Sequence, residues 1–152
     1  GTLTTGNTST LHDGAAFVVA VSEAEWKRLG RPPALRPTLN AALGVEPGQE
    51  AEAPIAALNK LYGRMNGLDR STITAFELSE ASAAQVIALC RQLAIDEAVV
   101  NPDGGAVVRG HPLGASGAVL VARLFSRLVR RYGVAALGAN GGLGLAALFE
   151  RV

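Results

Sequence analysis

GVAALGANGGLGLAALFE, residues 133–150, reads as two apolar strands, 133–139 and 143–150, joined by a tight Asn140-Gly141-Gly142 turn. Asn-Gly between apolar runs favours the positive φ of a hairpin turn, so the last strand should run antiparallel to its neighbour. Upstream, AVLVARLFSRLVRRY (118–132) has strong helical periodicity, and NPDGGAVVRGHPLGASG (101–117) is glycine-rich and irregular. ASAAQVIALCRQL (81–93) predicts a helix and TITAFEL (72–78) a strand. In 53–67, Ile55, Leu58, Leu61, Tyr62 and Met65 recur at helical spacing. GVEPGQEAEAP (44–54) is a loop, and Pro32, Pro33 and Pro37 exclude helix, leaving 34–43 extended. Ser22 with Glu25 fits a capping box and Gly30 a helix end, which brackets a short helix over 23–29. AAFVVAV (15–21), after the Asp13-Gly14 turn, predicts a buried strand. Strands alternate with helices and the chain closes on a hairpin, so the fold class is α/β, a mixed sheet covered by helices.

The 152 residues suffice for one domain with a core, and 49% hydrophobic against 18% charged residues excludes a disordered chain. A net charge of +1 gives no electrostatic case for a nucleic-acid partner. Arg123, Arg127, Arg130 and Arg131 cluster late in the 118–132 helix. There they suit the helix dipole or form a phosphate-reading patch. One cysteine, Cys90, precludes an internal disulfide, and no run reaches the ~20 apolar residues of a membrane span. A cytoplasmic location without membrane association is expected. The chain opens at Gly1 without methionine and runs at once into a turn-rich stretch, which suggests a piece of a longer polypeptide.

Four segments can carry chemistry. In GGAVVRGHPLGASG (104–117), His111 sits in a turn fixed by Pro112, and Gly114, Ala115 and Gly117 allow close approach to the backbone. A neutral imidazole there can take a proton from a nucleophile or donate to an oxyanion; the alternative is a histidine that only caps backbone groups. The glycines of GANGGLG (138–144) can present N–H groups to an oxyanion or simply turn a hairpin. In ELSEASAAQ (77–85), Glu77 and Glu80 open a helix, favourable electrostatically whatever the function, and Ser79 can be its N-cap. The hydroxyls and amide of GNTSTLHDG (6–14) can bind a polar ligand or organise a loop. His12 lacks a partner at metal spacing, so no metal site is expected. Cys90 lies on an apolar helix face and reads as core.

Taken together these segments resemble the thiolase family in order and spacing. GTLTTGNTSTLHDGAA is similar to that family's GTVTAGNASxxNDGAA, and SEASAAQ to NEAFAAQ. NPDGGAVVRGHPLGASGA is similar to NxNGGAIAxGHPxGASGA, and GVAALGANGGLGLAALFE to GxATLCIGGGxGIAxxxE. The GHPLGASG block is the most specific. The resemblance covers essentially the whole chain. It implies the second βαβαβαββ half of a thiolase, a five-stranded mixed sheet covered by helices. The first half, with its nucleophilic cysteine, and the loop domain that grips coenzyme A would lie outside this chain, which alone is expected to be inactive. The apolar faces meant for that first half would be exposed, which predicts self-association.

The resemblance also implies a mechanism. A first-half cysteine takes the acyl group of an acyl-CoA, the histidine of GHP activates it, and the asparagine of NEAFA holds a water in the oxyanion site. A second cysteine then serves as acid and base for Claisen condensation or thiolysis. His111 occupies the histidine position. Ser79 replaces the asparagine and can still hold a water. Gly138 replaces the acid/base cysteine and can move no proton. Asn140 replaces the first of three glycines whose N–H serves a second oxyanion hole, a place it can fill if it accepts the local backbone, since Asn visits φ > 0. Ser9 matches a serine near the pantetheine of coenzyme A, and Gly114 and Ala115 are expected beside the same ligand. The coenzyme A thioester would be substrate, with no covalent cofactor. The implied function is an atypical thiolase-family acyl-CoA C-acyltransferase, as a homo-oligomer or with a paralogue partner. The alternatives are a non-catalytic assembly subunit and a thiolase-like aldolase acting on acyl-CoA.

Overall fold

The computed structural model describes residues 1–129 and 131–152. One sheet in the order β1-β4-β3-β2 is built from β1 (Leu35–Gly44), β2 (Ile73–Leu78), β3 (Tyr132–Ala139) and β4 (Leu143–Arg151). The hairpin pairs β3 with β4 antiparallel, β1 adds antiparallel to β4, and β2 runs parallel to β3. The mixed sheet is therefore as expected, with the Asn140-Gly141-Gly142 turn at the hairpin tip.

Alternation along the strands sends neighbouring side chains to opposite faces. Val134 and Ala136 of β3 join Ala146 and Leu148 of β4 in one cluster, which α2 (Ala53–Tyr62) and α3 (Ala83–Leu93) cover. Ala135 of β3 and Phe149 of β4 face the other way, toward Leu120 and Leu124 of α5 (Ser116–Arg127). Helices thus cover both faces. α1 (Glu23–Arg28) stands apart from either cluster, and α4 (Ala106–Arg109) is a single turn before His111. Close packing of α2 depends on one glycine: a Cβ on Gly144 would lie 2.0 Å from the Ala53 carbonyl oxygen. Pro37 is tolerated because β1 is an edge strand, and the register shifts just beyond it. Lys60 Nζ and Arg64 Nη1 donate to the carbonyls of Ala42 and Asn40 on the same strand.

The expected fifth strand is not formed. Residues 15–21 belong to no strand or helix, with Phe17 91% and Val19 89% exposed. An apolar run becomes a strand only beside another strand, and among the described residues none lies next to it. The place beyond β2 is held by a single parallel bridge between Phe76 and Val100.

Local signals mark some helix ends and not others. The Glu25 N–H donates to Ser22 Oγ, so half of the capping box forms, but the Glu25 carboxylate turns to Arg28. α3 is capped by Ser82, not Ser79, because the Ser79 N–H still belongs to the sheet, donating to the Ala136 carbonyl. α5 starts at Ser116, earlier than expected, and ends at Arg127, where Leu128 turns extended to enter β3. Three of the clustered arginines make separate ion pairs: Arg123 with Glu77, Arg127 with Asp103 and, beyond the helix, Arg131 with Glu150. Arg130 lies outside the described residues. Among the described residues no helix is long and apolar enough to cross a membrane.

Candidate active site

The segment 4–14 stitches two others together. The Ser9 N–H donates to Ala81 O at 3.1 Å and Ala83 N–H to Asn7 O at 2.9 Å, fixing the segment to the start of α3. The His111 N–H donates to Thr10 O at 2.7 Å, and His12 N–H to His111 O at 3.3 Å, fixing it to the GHP turn. This close approach requires glycine before the histidine. Gly110 has φ +89°, and a Cβ there would lie 2.3 Å from the His12 ring. Ser9 is thereby half-buried, its backbone held by Ala81.

His111 is half-buried, and its Nδ1 lies 2.8 Å from Oγ of Ser116, the first residue of α5. That bond leaves Nε2 as the free ring nitrogen. If Ser116 donates, Nε2 carries the proton and can donate; if Nδ1 donates, Nε2 can accept a proton. Ser79 Oγ accepts from the Gly138 N–H at 3.2 Å, so the serine is anchored across to β3. His111 and Ser79 line one cavity of about 50 Å³, together with Asn101, Ser116, Glu77 and Arg123. His111 also lines an open cleft of about 590 Å³ with Leu11, His12, Asp13, Gly14, Pro112 and Leu113. That volume lies in the range of small-molecule sites, roughly 300–1,000 Å³. The histidine therefore borders both an open cleft and a smaller inner cavity.

The remaining candidates fall elsewhere. Gly114 and Ala115 belong to the short turn Leu113–Ala115 and line neither space; Gly114 is exposed, with nothing within 4 Å of an added Cβ. Asn140 is exposed at the hairpin tip, away from the His111–Ser79 wall. Its expected positive φ is corrected: Gly141 (+83°) and Gly142 (+76°) supply the turn instead, as the residues for which such angles carry least strain. A Cβ at Gly138 would meet Pro54 Cγ at 3.3 Å, so the start of α2 closes over that position.

Several residues of the site were not foreseen. Asn101, 6% exposed, clamps the end of β2: its Oδ1 accepts from Leu78 N–H at 2.8 Å and its Nδ2 donates to Leu78 O at 3.0 Å. The same Nδ2 donates to Glu80 at 2.6 Å, and the other Glu80 oxygen accepts the Val107 N–H at 3.0 Å. Glu80 thus holds the 101–107 turn and is not merely a charge near a helix end. Gly105 must lack a side chain, since its Cβ would lie 2.1 Å from that carboxylate. Glu77 does not open a helix either. It points inward from β2, with Oε2 2.7 Å from Arg123 Nε. Burial pushes its carboxyl above the ordinary range, and Arg123 opposes the shift. Asn101 ahead of a Pro-Asp-Gly turn was the available signal for the clamp; nothing in the spacing announced the Glu77–Arg123 pair. Cys90 is buried as expected, and burial pushes its thiol up. Among the described residues no group of three or more His, Cys, Asp or Glu side chains could hold a metal ion.

A mixed sheet covered on both faces, with a GHP histidine at the mouth of a glycine-rich turn, defines a thiolase-type domain. The family described as "Thiolase, C-terminal domain" matches residues 34–151, and the chain belongs to that family. It is 39% identical over 155 residues to the beta-ketothiolase BktB of Cupriavidus necator, covering 100% of this chain and 39% of that protein. It is 37% identical over 158 residues to a 3-ketoacyl-CoA thiolase of Klebsiella pneumoniae, covering 100% of this chain and 41% of that one. The crystal structure of a Bacillus anthracis acetyl-CoA acetyltransferase superimposes with a TM-score of 0.91 at 33% identity, over 98% of this chain and 38% of that chain. Acat5 thiolase from Ascaris suum, solved in complex with coenzyme A, gives 0.89 at 35% identity, over 100% and 40%. The chain thus spans about two fifths of the length of the curated relatives it matches.

Proposed function

We propose that this chain is the second half of an acyl-CoA C-acyltransferase that forms or cleaves a carbon–carbon bond beside a coenzyme A thioester. One observation carries the reading: His111 lines both the open cleft and the inner cavity that Ser79 shares. A thioester entering along 9–14 would meet the free Nε2, which can take the proton of a nucleophile or donate to the thioester oxygen. Ser79, with its oxygen already accepting from Gly138 N–H, can donate its hydroxyl proton to a water in the oxyanion site. Ser9 and the turn at Gly114 and Ala115 would border the pantetheine arm. The ligand class follows the coenzyme A bound by the Ascaris relative. The nucleophile would come from a first half that pairs with the exposed 15–21 segment, and the assembly would work in the cytosol as an oligomer.

A second reading is favoured by one observation. Gly138 carries no side chain, and Pro54 already occupies the space around its missing Cβ. A protein fitted in this way to the loss of an acid/base group would bind coenzyme A without turning it over, as an assembly subunit. The test is coenzyme A titration calorimetry on the complete polypeptide, with and without His111→Ala. Heat of binding that survives in the wild type supports both readings, and turnover separates them. No binding at all overturns both.

A further inference from the structure

Among the described residues Glu77 is the most completely buried charged side chain, at 1% exposure. Its Oε2 is held by Arg123 Nε, but its Oε1 and Arg123 Nη2 are buried without a protein partner. Both side chains line the cavity of about 50 Å³ that His111 and Ser79 also line. The geometry has a simple origin. Glu77 and Ser79 are two residues apart on one strand line and face the same way, about 6.6 Å apart. Ser116, Leu120 and Arg123 are spaced at i, i+4 and i+7, one face of α5, laid over that strand. The cavity is the space between these two faces. The space of about 50 Å³ exceeds the roughly 10–15 Å³ that one water needs, so it has room for ordered water. Buried polar atoms without a partner are strongly disfavoured, and water in this space would satisfy Glu77 Oε1 and Arg123 Nη2.

We propose that Glu77 is a positioning residue that stores a proton for this site, exchanging it with the His111 wall of the cavity through ordered water. A proton released at the His111 wall enters the nearest water, and the last water passes one to Glu77 Oε1. The carboxylate becomes a carboxyl; the return runs in reverse, and no other reactant is needed. Arg123 stays protonated and keeps Oε2 in place, which reserves Oε1 for the proton. Three cations face the group and favour its ionised form: Arg123 and Arg127 from α5, and Arg109 from α4. Asp103 pairs with Arg127 and Glu80 is engaged by Asn101, so the nearby acids are tied to other partners. Burial outweighs the cations and leaves a carboxyl that binds its proton more readily than an ordinary glutamate. Its use in turnover rests on the function proposed above; its protonation and the water do not.

The decisive experiment therefore needs no turnover. Carbon-13 spectra of the complete polypeptide labelled in glutamate, taken across pH, should show the Glu77 carboxyl titrating above the ordinary glutamate range. Water-selective NMR should show long-lived water beside the Asn101 amide and the Arg123 guanidinium. A Glu77 carboxyl that titrates in the ordinary range or below it, or a cavity without bound water, overturns the proposal whatever the enzyme does. In the complete polypeptide, Glu77→Gln should lower kcat at least about tenfold, displace the pH profile and leave KM unchanged. An active Gln variant with the wild-type pH profile overturns it too. A polypeptide without turnover, but with the raised titration and bound water, supports the proton store and counts against the proposed function alone.

Discussion

Oγ of Ser116 lies 2.8 Å from Nδ1 of His111, so the first residue of α5 orients the ring five positions upstream. Removing the hydroxyl frees the ring and leaves Nδ1 without its partner. Ser116→Ala should lower stability by about 1 kcal/mol. It should lower kcat by about 10–10²-fold in the complete polypeptide, since small misplacements of a reacting group are expensive in rate. Ser116→Thr should retain most activity. A rise in KM with kcat unchanged would contradict the orienting role.

At Gly138 the missing Cβ would sit 3.3 Å from Pro54 Cγ, close enough that the proline ring must give by a few tenths of an ångström. Gly138→Ala and Gly138→Cys should therefore fold with a loss of about 1–2 kcal/mol. If the acyltransferase reading holds, the cysteine variant alone should speed carbon–carbon chemistry, by about 10²-fold. Urea melts and acetyl-CoA condensation assays check the two halves separately. A Cys variant no faster than the Ala variant would favour the assembly-subunit reading.

Gly144 offers a contrast, because its neighbour is backbone. A Cβ would lie 2.0 Å from the Ala53 carbonyl oxygen, and α2 cannot yield without leaving the sheet. Gly144→Ala should cost about 3 kcal/mol. A loss below about 0.5 kcal/mol in chemical denaturation would mean that α2 packs elsewhere.

The Cys90 thiol is 3% exposed and its pKa is raised, first by burial and then by Glu97 and Asp96. Thiolate is the reactive form, so labelling by a disulfide reagent near neutral pH should be slow in the native chain and fast in denaturant. Equal rates would contradict the packing of α3.

Exposure of Phe17, Val18, Val19 and Val21 on one unpaired segment should drive self-association at high concentration. Light scattering should report mass above that of the 15.6 kDa monomer, restored toward the monomer by Phe17→Ser with Val19→Ser. A monodisperse wild-type monomer would count against it.

The same residues show what the sequence discloses. The hairpin and its turn were legible because apolar runs around Asn-Gly-Gly encode pairing locally. The α3 cap lies at Ser82, three residues after the sequence's candidate Ser79, whose N–H still pairs with β3. Residues 15–21 carry a strand's composition without a partner, and composition cannot supply one. His111 stands out in its glycine-rich turn and Ser79 as a possible cap, their roles come from motif likeness, and the cavity they share depends on α5 crossing β2. The Glu77–Arg123 pair spans 46 positions and follows from that crossing, which no periodicity encodes.

The most direct test of the account is turnover of acetyl-CoA and a 3-ketoacyl-CoA by the complete polypeptide, wild type against His111→Ala. The account predicts measurable carbon–carbon chemistry that falls by at least about 10²-fold in the variant, with folding unchanged. Wild-type turnover that the variant retains in full would contradict it, because His111 would then stand at the junction of cleft and cavity without acting there.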